Sequence, residues 1–457
     1  MTIRRPQLMR LEPQRPSKAS GRCRMLSVPR KPPIMKSGEP EFIPQKGRVL
    51  PLEERIDPRA TALIVVDVQN DFCDRDGAFG KLDADVSMMP PMADKLRCLV
   101  DSARRKDMLI LWVRATYDAV VTSNTLAETY NRRGFTQSQC LDGSWGAEWY
   151  GVSPRKAPNE IELSKHRFSP FWDTPIDLYL RSNNIRSVVV TGVVTSGCVD
   201  STARDAFFND YYVVVAEDCV AEASRERHDA ALGKLAQSFG TVLPATDLIA
   251  VWDASEYHAT SWRLQSKQAR VLRDRQARLD PAHSALVLID ARGGPVPEIA
   301  ELVQQARANH VMVVHVETDL AEASTSDVQL FLQQRHAAGG GCGPAGAATA
   351  DLAPRGEEPV VVKHRLDAFV DTGLEKLLRV NGIRTVVIAG TDTPGAIDST
   401  ARQAAMRDFY VVIAEDCVTA KACEQHLHQA SLQTLAARFA EVCGASAVTA
   451  CWGAAAR

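Results

Sequence analysis

Asp67, Lys165 and Cys198 are three side chains whose types, brought together, suit the cleavage of a carbonyl–nitrogen bond. Asp67 directly follows the apolar run Leu63–Val66, where a carboxylate at a strand end can be poised in a half-buried cleft. The plainer alternative is a polar strand terminus that caps the next turn. Cys198 follows a Thr-Ser-Gly turn and opens a helical segment, Cys198–Asn209. A thiol there meets unpaired backbone N–H groups and the positive end of the helix dipole, both of which favour thiolate. Its plainer alternative is a buried core cysteine, the reading we give to Cys219 and Cys417. Lys165 follows the short apolar run Ile161–Leu163 and recurs later in the chain as Lys363. A lysine beside these two groups stabilises both anions, while Asp67 can take the thiol proton and return it to a leaving amine. The N–H groups of Val194 and Cys198, on the turn, are suited to a developing oxyanion.

The elements that must position these residues are read from a repeat. The 56 residues from Lys165 and those from Lys363 align without a gap and are identical at more than half of their positions. Upstream, TALIVVDVQNDF (Thr61–Phe72) pairs with SALVLIDARGGP, and DMLILWVRATYD (Asp107–Asp118) with NHVMVVHVETDL. In the first copy Ala62–Val66, Leu109–Val113, Val188–Thr191 and Tyr212–Ala216 read as buried parallel strands. Met88–Lys106, Pro175–Asn183 and Cys198–Asn209 read as helices between them. The alternation predicts an α/β fold of two tandem doubly wound three-layer domains, each with a mostly parallel sheet. Ligands of such sheets sit at the carboxyl ends of the strands, which places Asp67 and Cys198 on one edge. The expected organisation is a basic, proline-containing arm over 1–54, a catalytic domain over 55–253, a charged linker over 254–279 and a second copy over 280–457. The arm is read as an extended segment wrapping a neighbouring surface rather than a transit peptide, because its prolines interrupt any amphipathic helix.

Composition removes several function classes. A net charge of -2 over 457 residues offers no excess to exchange for phosphate counterions, so nucleic acid is not an expected partner. No apolar run reaches the roughly 18 residues needed to span a bilayer. Eleven scattered cysteines without a C-x-x-C pair fit reduced thiols, and the expected location is the cytoplasm.

The motifs D-x-Q-x-D-F at Asp67, K-x-R-x-S-x-F-x-x-T at Lys165 and T-G-V-x-T-x-x-C-V-x-S-T-A-R-D-A around Cys198 resemble those of the isochorismatase-like cysteine hydrolases. That superfamily includes carbamoylsarcosine amidases, ureidoacrylate amidohydrolases, biuret hydrolases and nicotinamidases. The resemblance covers nearly all of 55–253 and, more weakly, 280–457. It implies an Asp67–Lys165–Cys198 triad, a cis peptide at Val193–Val194 beside the oxyanion turn, and a thioester on Cys198. The expected substrate is a small linear carboxamide or ureido compound, hydrolysed with release of ammonia or an amine. The nicotinamidases of the group hold a metal through Asp and His, yet no histidine lies between Asp67 and Lys165, so neither metal nor other cofactor is expected.

Phe72, Trp145, Trp149, Phe171 and Trp172 are candidate pocket walls, and Arg114, Glu148 and Arg167 candidate polar contacts. For each, core packing or a surface position is the ordinary alternative. The second copy keeps Asp290 and Lys363 but carries Ala396 in place of the cysteine, and is about 25 residues shorter between aspartate and lysine. It is expected to be a degenerate partner in an intramolecular pseudo-dimer, which further copies can join. The competing readings are a thiol-free vinyl ether hydrolase of the isochorismatase kind and a non-catalytic scaffold.

Overall fold

The computed structural model describes residues 50–132, 134, 139–257, 271–291, 297–319 and 352–454. The basic arm up to residue 49 and linker residues 258–270 lie outside the described residues.

In the first copy the strands are β1 (Thr61–Val66), β2 (Leu109–Ala115), β3 (Glu160–Lys165), β4 (Ser187–Val193), β5 (Tyr212–Ala221) and β6 (Thr241–Leu243). They form one sheet in the order β3-β2-β1-β4-β5-β6, with every pairing parallel. The second copy repeats this with β7 (Ser284–Ile289), β8 (Met312–Thr318), β9 (Val360–Lys363), β10 (Thr385–Thr391), β11 (Tyr410–Thr419) and β12 (Glu441–Cys443). Its order is β9-β8-β7-β10-β11-β12, again parallel throughout.

Helices on both faces explain the near-continuous Val, Leu and Ile of the central strands. β1 and β7 are buried at all six positions. The helix Met89–Arg105 covers one face of the first sheet with Met89, Met92, Leu96, Leu99 and Val100, and Asp200–Phe208 covers the other with Ala203 and Ala206. Each large side chain so buried contributes on the order of 1.5–3 kcal/mol. Trp112, fully buried in β2, donates its indole N–H to Glu160 Oε2 at 2.9 Å. In the second copy His315 and Glu358 make the corresponding contact at 2.8 Å.

Three details differ from the sequence reading. β3 and β6 are strands that the apolar runs do not announce: Glu160-Ile161-Glu162-Leu163 alternates because β3 is an edge, and β6 has three residues. The second-strand repeat is displaced by one residue, since Ala115 and Thr318 occupy equivalent places opposite Lys165 and Lys363. A slip of one is invisible in a strand that is apolar on both faces. The repeat also begins earlier than its second aspartate motif suggests. The helix Arg275–Arg278, within the segment read as linker, is the counterpart of Leu52–Arg55; its Gln276 donates to the Cys451 carbonyl and its Arg278 pairs with Glu441.

The two copies meet through equivalent helices, Ile176–Ser182 and Leu374–Val380. Arg181 Nη1 lies 2.7 Å from Glu375 Oε1, and Glu375 also pairs with Arg379 and Arg407.

Candidate active site

The strand order reverses between β1 and β4, so connections leave their carboxyl ends in opposite directions and open a crevice there. Asp67 follows β1 with φ 55°, a left-handed conformation that short polar side chains tolerate. Its N–H donates to the Val113 carbonyl at 2.8 Å. Beside it, Gly192 in β4 has φ 106°, and a Cβ there would lie 1.9 Å from the Val66 carbonyl oxygen. Only glycine lets the end of β4 approach β1 this closely. The peptide Val193–Val194 that follows is cis, at the position the resemblance indicates.

Lys165 ends β3, two strands from Asp67, and its register partner in β2 is the small Ala115. Lys165 Nζ reaches Asp67 Oδ2 at 2.7 Å, Cys198 Sγ at 3.4 Å and the Arg167 carbonyl at 3.1 Å. The ammonium, with no exposed surface, has three donors and three partners, so it is a fixed charge rather than a mobile one.

Cys198 lies inside a π-helical turn, Thr195–Val199, that runs on into Asp200–Phe208. The helical course therefore begins three residues ahead of the position expected from sequence. Thr195 in that turn is held by His228 Nδ1 at 2.9 Å, and Ser196 by Glu222 through both its hydroxyl (2.6 Å) and its N–H (3.1 Å).

Electrostatics at the triad correct the thiolate expectation. Burial pushes the Cys198 thiol up to about 12, with the Asp67 charge adding to it and Lys165 only partly opposing. Burial also raises Asp67, against the pull of Lys165. For Lys165, burial alone would lower the pKa, but the charges of Asp67 and Cys198 outweigh it and the ammonium is held above its usual value. The resting nucleophile is therefore a neutral thiol.

A cavity of about 330 Å³ opens over Cys198 and Asp67. Phe72, Phe79, Tyr117, Tyr130 and Phe168 supply its aromatic wall, Val193, Val194 and Gly197 its floor, and Gln139, Ser196, Ser201, Glu222 and Arg227 its polar positions. Of the eight contacts suggested by sequence, Phe72 alone lines it. Trp145 and Trp172 are exposed, and Glu148 is exposed with its carbonyl bound to the Asn70 N–H. Trp149 lies edge-on to Trp112 and donates to Glu162, while Phe171 packs against Tyr211. Arg114 lies 4.0 Å from Asp142, and Arg167 donates to the Val121 and His166 carbonyls. An aromatic or arginine in a loop carries no sign in sequence of which way it faces. Tyr117, Tyr130, Gln139, Glu222 and Arg227 were not among the sequence candidates, although the repeat holds a signal for two of them. Glu222 and Arg227 become Ala420 and Leu427 in the second copy.

The isochorismatase domain matches this chain twice, over residues 61–247 and 271–447. The chain belongs to that family. Ureidoacrylate amidohydrolase RutB from Enterobacter sp. (strain 638) is 34% identical over 203 residues, 42% of this chain and 88% of that protein. Among solved structures, an isochorismatase family protein from Desulfovibrio vulgaris is 27% identical, covering 43% of this chain and 99% of its own, with a TM-score of 0.38. N-carbamoylsarcosine amidase from Thermoplasma acidophilum is 25% identical, covering 40% and 96%, with a TM-score of 0.33.

In the second isochorismatase domain the aspartate and lysine persist in a different arrangement. Lys363 Nζ lies 3.0 Å from Asp290 Oδ2, but Thr318 also binds that carboxylate, through its N–H at 2.7 Å and its hydroxyl at 2.8 Å. In the first domain the equivalent Ala115 has no hydroxyl to offer, and its N–H serves Gln69 Oε1 at 2.8 Å as well as Asp67, whose carboxyl also faces the thiol. At the turn, Asp392 stands where Val194 does, and its Oδ2 accepts the Ala396 N–H at 3.2 Å. Among the described residues no group of three or more His, Cys, Asp or Glu is placed to hold a metal, and no helix is long and apolar enough to cross a membrane.

Proposed function

We propose that the first domain is an amidohydrolase that cleaves a small linear carboxamide or ureido C–N bond through a thioester on Cys198. The observation that carries this is the buried contact of Lys165 Nζ with both Asp67 (2.7 Å) and Cys198 (3.4 Å) at the base of a cavity of small-molecule size. Asp67 takes the proton of the neutral thiol as sulfur attacks the carbonyl carbon. The N–H groups of Val194 and Cys198, on the cavity wall, receive the oxyanion. Collapse breaks the C–N bond, and Asp67 returns the proton to the departing nitrogen. Water then attacks the thioester, gives a proton to Asp67, and the sulfur leaves and is reprotonated. Lys165 stays charged throughout and keeps the carboxylate and the sulfur in register.

The second domain is a silent partner. Its nucleophile is absent, its carboxylate is tied to Thr318, and its turn N–H already holds the anion of Asp392. The first domain and its shortened copy form a pseudo-dimer around Arg181 and Glu375. The functional reading is tested by an ammonia-release screen over small ureido and carboxamide compounds. Wild-type protein is expected to release ammonia from at least one class and Cys198→Ala from none; equal release by both proteins would defeat it.

A further inference from the structure

Besides Asp67, Glu222 is the acidic side chain that lines the triad cavity, and it is 3% exposed. Both of its oxygens are in use. Oε2 accepts the Ser196 hydroxyl at 2.6 Å and the Ser196 N–H at 3.1 Å. Oε1 accepts the Ala223 N–H at 3.0 Å and one Arg227 N–H at 3.4 Å. A buried carboxylate is tolerated only where such donors replace water, and its hydrogen bonds are roughly twice as strong as neutral ones. Glu222 follows β5, whereas Ser196 lies inside the Thr195–Val199 turn after β4, two residues before the nucleophile. The contact therefore ties the end of β5 to the nucleophile turn and fixes the Thr195–Ser196 peptide.

The repeat separates this clamp from the contacts that only brace the fold. The buried Thr195–His228 contact (2.9 Å) recurs in the second domain as Thr393–His428 (3.0 Å). The clamp does not recur. Ser196, Glu222 and Arg227 are replaced together, by Pro394, Ala420 and Leu427, in the copy that has lost the cysteine. Pro394 has neither N–H nor hydroxyl, so both donors to the carboxylate are gone as well as the carboxylate itself. The backbone differs too. Val194 enters the first turn at φ -92° and ψ 147°, whereas Asp392 enters the second at φ 65° and ψ 63°.

We infer that Glu222 is a positioning residue for the hydrolysis proposed above: through Ser196 it holds the nucleophile turn in the form that presents the Val194 and Cys198 N–H groups to the oxyanion. The inference rests on that amidohydrolase reading. With both oxygens occupied, Glu222 moves no proton and binds no reacting atom. Its effect falls on the tetrahedral step, in which the oxyanion exists. The sulfur is held separately, by Lys165 at 3.4 Å.

The test sets hydrolysis against alkylation in the full-length protein, using the best substrate of the ureido and carboxamide screen and iodoacetamide. Alkylation displaces iodide at a saturated carbon and forms no oxyanion, so it reads the thiol alone. Glu222→Ala should lower kcat about 100-fold, the loss that a displacement on the order of 1 Å brings, with a smaller change in KM. Its rate of Cys198 labelling should stay close to that of wild type. Glu222→Gln, whose amide oxygen can still accept both Ser196 groups, should regain about tenfold of the lost kcat. Ser196→Ala should cost about tenfold in the wild-type background and little in Glu222→Ala. Unchanged kcat in Glu222→Ala, or labelling that slows as much as hydrolysis, would overturn the inference and leave the amidohydrolase reading intact. Absence of ammonia from every compound with the wild-type protein would instead sink the amidohydrolase reading on which it rests.

Discussion

Asp392 Oδ2 accepts the backbone N–H of Ala396 at 3.2 Å, so the second domain fills with its own carboxylate the place where the first domain presents an N–H to its cavity. Loss of the thiol is therefore not the only change that silences this copy. In a Cys198→Ala background, Ala396→Cys is expected to restore no ammonia release. Recovery of even a few per cent of wild-type turnover would show that the second turn is still open.

The Asp67 carboxylate holds the Cys198 proton in place, and replacing it should separate reactivity from catalysis. Asp67→Asn removes the negative charge that helps push the thiol up to about 12 and leaves Lys165, which pulls it down. Iodoacetamide should then label Cys198 faster near neutral pH than in the wild-type protein, although hydrolysis is lost. Peptide-resolved labelling rates across pH 6–10 measure this. Slower labelling of the variant would mean that Asp67 promotes thiolate at rest.

Acid sensitivity follows from the raised pKa of Asp67. Hydrolysis requires the carboxylate, and its folded pKa lies above the usual 3.8 because of burial. As pH falls through that raised value the base is protonated and kcat/KM drops. The acid limb of wild-type kcat/KM should therefore lie above the ordinary aspartate range. An acid limb at or below 3.8 would contradict the assignment.

Much of this was legible before any coordinates, for identifiable reasons. The Val and Ile runs marked the central strands because those strands are buried on both faces, and the repeat marked Lys165 because Lys363 recurs. What escaped was directional. Trp145 and Trp172 are as prominent in sequence as Phe72, but loop geometry turns them to solvent. Tyr117 follows a strand whose register the apolar pattern leaves open, as the one-residue slip at Ala115 and Thr318 shows. The protonation state of Cys198 depends on the sum of burial, Asp67 and Lys165, and no motif states which wins.

The two lysines differ in what their loss would uncover. Lys165→Met leaves Asp67 buried without its countercharge and should cost about 3–5 kcal/mol in urea unfolding of the full-length protein. Lys363→Met should cost less, since Thr318 still gives Asp290 two hydrogen bonds. Equal losses would indicate that Thr318 does not stabilise the second carboxylate.

The central claim is a covalent acyl group on Cys198. Acid quenching during turnover of the best substrate from the amide and ureido panel, followed by peptide mass spectrometry, observes it directly. The account predicts an acyl increment on the peptide containing Cys198, discharged by hydroxylamine and absent from Cys198→Ala together with ammonia release. Continued release by Cys198→Ala, or an acyl group found on another residue, would contradict it.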